Sequence, residues 1–130
     1  MTDEIKTSSA PTETPKTIEV ARIAYEDFKK VEIKVGKILK AEKIEKSDKL
    51  LKLLVDFSEP TPRQIVSGIA KYFSEPIVLE GKKCAFVTNL EPKPLMGLES
   101  NGMILAVGGG EDPFSLFEFP DSIPAGFKAK

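Results

Sequence analysis

A chain of 130 residues fits one domain, and a hydrophobic fraction of 41% is enough for one real core. With 19 basic and 20 acidic residues the formal charge is −1, so net charge does not draw the chain toward nucleic acid, and any such binding must come from a local basic surface. The sequence has no histidine, which removes the Ser-His-Asp triad, the Cys-His pair and imidazole metal ligands together.

Residues 1–22 read as a flexible tail or linker. The stretch from Thr7 to Lys16 is rich in Thr, Ser, Pro, Glu and Lys and cannot bury enough apolar surface to offset its ordering entropy. The N-terminus lacks the basic and then apolar pattern of a signal peptide. No apolar run approaches the roughly 20 residues that span a bilayer. A soluble, cytoplasmic protein is expected.

The domain is expected over 23–130. It should open with a short helix or turn near Ile23–Phe28, with Tyr25 and Phe28 packing on the core. Val31, Ile33 and Val35 then alternate with Lys30, Glu32 and Lys34, the period of a half-buried strand, which points Lys30 and Lys34 outward. After Gly36 the next apolar residue is Ile38, a slip that predicts a β-bulge of the kind a small barrel needs to close. A second strand is expected over Leu50–Phe57, with Leu51, Leu53, Val55 and Phe57 on one face. Pro60 and Pro62 mark a turn, and Gln64–Ser67 gives a third strand ending at Gly68. Ala70–Phe73 reads as a helical turn. A fourth strand runs from Cys84 to Leu90. A long loop, Asn89–Met103, carries two prolines, two methionines and two glycines. A fifth strand is expected over Met103–Val107, and a short further one over Phe114–Phe119. No helical period appears after residue 30. Strands punctuated by turns every 8–15 residues indicate an all-β sandwich or barrel.

Catalytic equipment is sparse. Cys84 lies in an apolar run and reads as a small buried strand residue; a lone Cys forms neither an internal disulfide nor a zinc site. Asp56 is the most enclosed acid, and a turn cap or solvated edge is its expected role. Gly108-Gly109-Gly110 has neither a GxGxxG nor a P-loop pattern and reads as a turn. No cofactor is expected. A run of lysines (29, 30, 34, 37, 40, 43, 46, 49 and 52) could track a phosphate backbone. Interspersed Glu and Asp make a solvated mixed-charge face an equal reading. The Asn89–Met103 loop offers soft Met side chains for base faces and Asn and Ser groups for base edges or a 2′-OH. Equally, its two Met could fill the barrel end.

Four blocks carry a resemblance. Tyr25–Ile38, Ser47–Leu53, Arg63–Ile69, and Asn89–Lys93 with Met96–Ala106 resemble, in order, the blocks of the tRNA-binding domain family. That family includes the C-terminal domain of bacterial methionyl-tRNA synthetase, free-standing structure-specific tRNA-binding proteins and the domain of the endothelial monocyte-activating polypeptide. The stretch Phe114–Asp121 with Pro124-Ala125-Gly126 resembles the synthetase branch.

The resemblance implies an all-β OB-fold, a five-stranded barrel with additional C-terminal strands and a short N-terminal helix. It implies a homodimer that binds tRNA by shape and backbone charge and assists a methionyl-tRNA synthetase catalytic region without catalysis of its own. Carried over by position, the tRNA-binding residues are Lys34, Lys49, Arg63, Ser67, Asn89, Lys93, Met96, Ser100 and Met103, with most weight on Ser100, Met103, Asn89 and Lys34. Many relatives have Arg where Lys34 stands, a swap that keeps the charge and loses the planar fork. Acidic Glu91 and Glu99 depart from a purely basic site. A protein-docking module of a synthetase complex is the alternative. A generic single-strand binder is disfavoured, because stacking needs exposed aromatics and most of the eight Phe read as buried.

Overall fold

The computed structural model describes residues 20–130. The expected tail therefore falls mainly outside the described residues, and Val20–Arg22 have no regular secondary structure. The first element, α1 (Tyr25–Phe28), is a single turn with none of its residues buried. Tyr25 and Phe28 are exposed instead of packing on the core, which corrects the expectation drawn from their apolarity.

The barrel is built from β1 (Ile33–Lys43), β2 (Leu51–Asp56), β3 (Arg63–Ser67) and β4 (Lys83–Val87). Two 3-10 turns, Ala70–Tyr72 and Pro76–Leu79, connect β3 to β4. The remaining strands are β5 (Lys93–Leu95), β6 (Leu98–Ser100), β7 (Met103–Ile104), β8 (Ala106–Gly109), β9 (Asp112–Leu116) and β10 (Glu118–Phe119). The main antiparallel sheet runs β10-β4-β1-β2-β3, with β7 also paired to β4. This is the expected OB-fold barrel with short added strands toward the C-terminus.

β2 buries alternate residues as its period dictates: Leu51, Leu53, Val55 and then Phe57. On β1 the sides are the reverse of the expected ones. Lys34 lies opposite Phe86 and Gly36 opposite Cys84, and directly opposed residues share a face. Phe86 and Cys84 are core residues, so Lys34, Gly36 and Ile38 occupy the core side of β1. A Cβ at Gly36 would stand 2.5 Å from Phe57, 2.6 Å from Val55 and 2.9 Å from Phe86. The absent side chain makes room for the edge-to-face pair of Phe57 and Phe86, whose centroids are 5.3 Å apart.

Val35 is buried too, but on the opposite side with its partner Ala85. Where β2 leaves the first half of the β1 edge vacant, the C-terminal segment pairs along that edge. Val35 N donates to Phe127 O at 2.8 Å, Gly126 N to Val35 O at 2.7 Å, and Ala129 N to Ile33 O at 2.8 Å. The expected bulge exists, displaced to Leu39: Ile38 opposes Val55 and Lys40 already opposes Leu54.

The long Asn89–Met103 loop contains a hairpin, β5 paired with β6, which the prolines and glycines disguised. The expected fifth strand divides into β7 and β8. At the far end, β8 and β9 form a second hairpin docked through the stacked rings of Tyr72 and Phe114, 4.0 Å between centroids. Gly108, Gly109 and Gly110 all have positive φ (81°, 113° and 67°), as a turn requires. Asp56 is a turn cap: its Oδ1 accepts from Ser58 N at 2.8 Å.

Candidate nucleic-acid interface

Two surfaces hold the expected site residues. The first is the barrel mouth. Arg63 opens β3 half-buried, and its fork donates to Glu59 at 2.9 Å (Nε) and 2.7 Å (NH2). Its NH1 donates to Thr88 O at 2.6 Å, and its guanidinium lies 5.4 Å from the centre of the Phe57 ring. Thr88 Oγ1 donates to Glu32 Oε1 at 2.6 Å, and Lys34 Nζ stands 3.7 Å from the same oxygen. The Thr88 hydrogen bond, aided by Lys34, Lys128 and Arg63, holds the Glu32 carboxyl below its usual range. The Arg63 fork does the same to Glu59, and Glu59 in turn raises Arg63. Lys34 and Arg63 are thus cations already neutralised by partners within their own chain. Lys34 emerges from the core side of β1, not from the outer face that alternation suggested.

Asn89 sits beside this network. Its Nδ2 donates to Lys30 O at 2.6 Å and its Oδ1 accepts from Glu32 N at 2.9 Å. The amide ties the end of β4 to the start of β1. Both ends of the side chain are engaged by backbone.

The second surface is the outer face of β1, β2 and β3 with the β5–β6 hairpin along its edge. Ser100 holds the hairpin in place. It is 5% exposed, and its Oγ accepts from Val66 N at 2.9 Å. Its proton can reach Gly102 O at 3.2 Å or Val66 O at 3.3 Å. The hydroxyl stands in for a neighbouring strand at the edge of β3. Gln64 Nε2 donates to Glu99 O at 3.0 Å and Asn101 N to Gln64 O at 2.8 Å, which completes the docking. The most favoured contact residue of the sequence reading is thereby buried, with its hydroxyl taken by main chain.

Register places the residues of this face and its hairpin in rows. Glu42 opposes Lys52, Lys52 opposes Val66, Val66 is bonded to Ser100, and Ser100 opposes Lys93. A parallel row runs Lys40, Leu54, Gln64. Glu42 stands 3.2 Å from Lys52 and 3.7 Å from Lys40, so one carboxylate serves two lysines. Lys93, Met96 and Met103 are exposed on and after the hairpin. Lys49 is exposed at the other end of β2, where its carbonyl accepts from Ala70 N at 3.0 Å, near half-buried Ser67, which opposes Leu51. Lys40 and Lys52 belong to the lysine run read from sequence but not to the residues carried over by resemblance, and Gln64 was not singled out at all. The signal for Lys40 was the bulge: once Leu39 is the extra residue, Lys37 and Lys40 both face outward.

Elsewhere, burial pushes the Cys84 thiol up to about 12. Among the described residues no group of three or more Cys, Asp or Glu could hold a metal. No described helix is long and apolar enough to cross a membrane. Four of the eight Phe (28, 117, 119 and 127) are exposed, against the expectation that most are buried.

A six-stranded antiparallel barrel sheet with a mixed basic outer face and a hairpin pinned to its edge defines an OB-fold binding module. A family model described as "Putative tRNA binding domain" matches residues 33–128. The chain belongs to the tRNA-binding domain family. It is 57% identical over 93 residues to a methionine–tRNA ligase of Methanoregula boonei, covering 72% of this chain and 14% of that protein. It is 46% identical over 125 residues to the corresponding ligase of Caldanaerobacter subterraneus, covering 96% of this chain and 19% of that protein. The chain therefore spans less than a fifth of either ligase. Among solved structures, a MetRS-related protein from Pyrococcus horikoshii superposes with a TM-score of 0.78 at 40% identity, covering 85% of this chain and all of that one. The chaperone CsaA of Bacillus anthracis superposes at 0.73 and 25% identity, again over 85% of this chain and all of that one.

Proposed function

We propose that this chain binds tRNA by shape and backbone charge and assists a methionyl-tRNA synthetase in the cytoplasm, as its C-terminal domain or an associated subunit, without catalysing aminoacylation itself. The observation that carries this is the β5–β6 hairpin, fixed by Ser100 to the edge of an outer face bearing Lys40, Lys52 and Gln64. Exposed Lys49 and Lys93, with half-buried Lys52 paired to Glu42, supply salt-sensitive attraction to phosphates. Met96 and Met103 supply apolar contact, and Ser67 lies at the end of β3 on the side it shares with Leu51. Lys34, Arg63, Asn89 and Ser100 act one step back, holding the strand ends and the hairpin that present the others.

The test is a gel shift against tRNA, single-stranded RNA and duplex DNA across a salt series. tRNA is expected to bind most tightly, and Lys52→Ala with Lys93→Ala to flatten the salt dependence by about 0.7–0.9 in log–log slope per lost phosphate contact. Equal affinity for all three nucleic acids would refute recognition by shape. No binding at low salt would favour the docking-module alternative.

The reading includes a homodimer. A groove of about 640 Å³ lined by Tyr25, Phe28, Val31 and Phe127 exposes apolar surface, and Lys29, Lys128, Glu26 and Asp27 lie at or next to it. A two-fold interface places a patch against itself and so needs both signs of charge, which this one has. Sedimentation equilibrium of the wild type and Phe127→Ser should show a dimer that the substitution weakens. A monomeric wild type at tens of micromolar would exclude it.

A further inference from the structure

The β5–β6 hairpin turns through two residues, Met96 and Gly97, between the paired Leu95 and Leu98. Both have positive φ, 52° and 78°. A two-residue loop with both central residues left-handed selects Asn, Asp or Gly at the first position, because a larger side chain there crowds its own backbone. Methionine at that place is disfavoured by the turn. It is also 54% exposed, so little burial within its own chain offsets the strain. Strain of this kind persists where the surroundings enforce it, and here they do. Ser100, Gln64 and Asn101 bond the hairpin to β3, while Pro94 stiffens β5.

We propose that Met96 is an apolar wedge that stacks on an unpaired base of the bound tRNA, and that its left-handed backbone aims it away from the barrel. This rests on the tRNA-binding reading. The chemistry favours a base over a protein side chain. A thioether is polarisable and lies well against a π-face, and stacking tolerates any base, as recognition by shape requires. Lys93, three residues away on the same rigid hairpin, is placed to hold a neighbouring phosphate.

The experiment uses the full chain with Met96→Asn, Met96→Gly and Met96→Leu, each measured for thermal stability, oligomeric state and affinity for tRNA and for a fully paired RNA duplex across salt. Asn and Gly relieve the turn, so both variants should melt a few degrees higher than wild type. Both should bind tRNA roughly 5- to 30-fold more weakly, the loss expected for one stacked base. The salt slope should not change, because Met96 carries no charge, and duplex binding should not change either. Met96→Leu should stay within about twofold of wild type, since it keeps an apolar side chain of similar volume. Wild-type affinity for tRNA in the Asn and Gly variants would overturn the wedge. So would an equal loss on the duplex, or a loss that tracks dissociation of the dimer, which would assign Met96 to a protein contact. Failure of the wild type to bind tRNA at low salt would instead overturn the reading beneath it.

Discussion

Replacing Ser100 with Ala separates a structural hydroxyl from a contact residue. In the folded chain the Ser100 Oγ accepts from Val66 N at 2.9 Å, and both residues are buried, each 5% exposed. Alanine removes the acceptor and leaves a buried N–H without a partner, at a cost of about 1–3 kcal/mol. Loosening of the hairpin edge adds to this, while the alanine methyl itself packs where the serine did, so a net loss near 2 kcal/mol is expected. For a domain of this size 1 kcal/mol moves Tm by roughly 4–8 °C, which puts the expected fall at about 8–16 °C. Circular dichroism melts and urea titration measure it, and the urea slope should stay constant if the unfolded state is unaffected. tRNA affinity, taken by fluorescence anisotropy well below the melting transition, should fall only in step with the loss of stability, because Ser100 holds the hairpin and does not itself reach the surface. A variant with unchanged Tm and a clear loss of tRNA affinity would refute this reasoning and return Ser100 to the contact surface.

Gly36→Ala places a Cβ within 3 Å of Phe57, Val55 and Phe86, and overpacking of this kind costs about 3 kcal/mol at the upper end of its usual range, so Tm should fall by roughly 10 °C or more. A smaller core partner, Phe57→Leu, should recover part of that loss in the double mutant if the clash is the cause. The carboxyls of Glu59 and Glu32 sit below the ordinary value of 4.5, so the stability they confer is present above it and lost as pH falls through their lower folded values; melts from pH 6 to pH 3 should show this, with a shallower decline in Glu59→Gln. Cys84, its thiol pushed up to about 12 by burial, should resist a thiol-specific reagent at pH 8 in the native protein and react on unfolding, as followed by mass spectrometry.

What the sequence made legible was local. β2 read correctly because one face meets the core and its period of two is uninterrupted. β1 misled because both of its faces are covered in part. Val31, Ile33 and Val35 alternate as a core face would, but Ile33 and Val35 share the side opposite the core cluster, while the C-terminal segment pairs with the edge of β1 that β2 leaves vacant. The true core side carries Lys34 and Gly36, because rings from Phe57 and Phe86, 21 and 50 positions from Gly36, fill the space above the glycine. Nothing within a short window of β1 announces those rings. The hairpin was hidden for a different reason: three residues per strand are too few to show a period, and a methionine masks a turn that asparagine would have declared.

The partners of polar groups were the least legible, because a side chain's identity does not say how far along the chain its hydrogen bond reaches. Asn89 bonds the backbone 57 and 59 residues back, and Ser100 bonds Val66, 34 residues back. Both belong to the block through which this chain resembles its family; Ser100 is buried, and Asn89, though exposed, has both ends of its amide bonded to backbone. In the proposed tRNA-binding reading their part is to fix one rigid object, the stretch from the end of β4 to the start of β7. That object sets Lys93 and Met96 at one end of the outer face and Met103 at its base. A motif of this kind reports the geometry that presents a contact surface as much as the contacts themselves. The proposed contacts are assigned to polar groups that have no partner of their own among the described residues, Lys49 and Lys93, and to a methionine held in a turn that does not favour it.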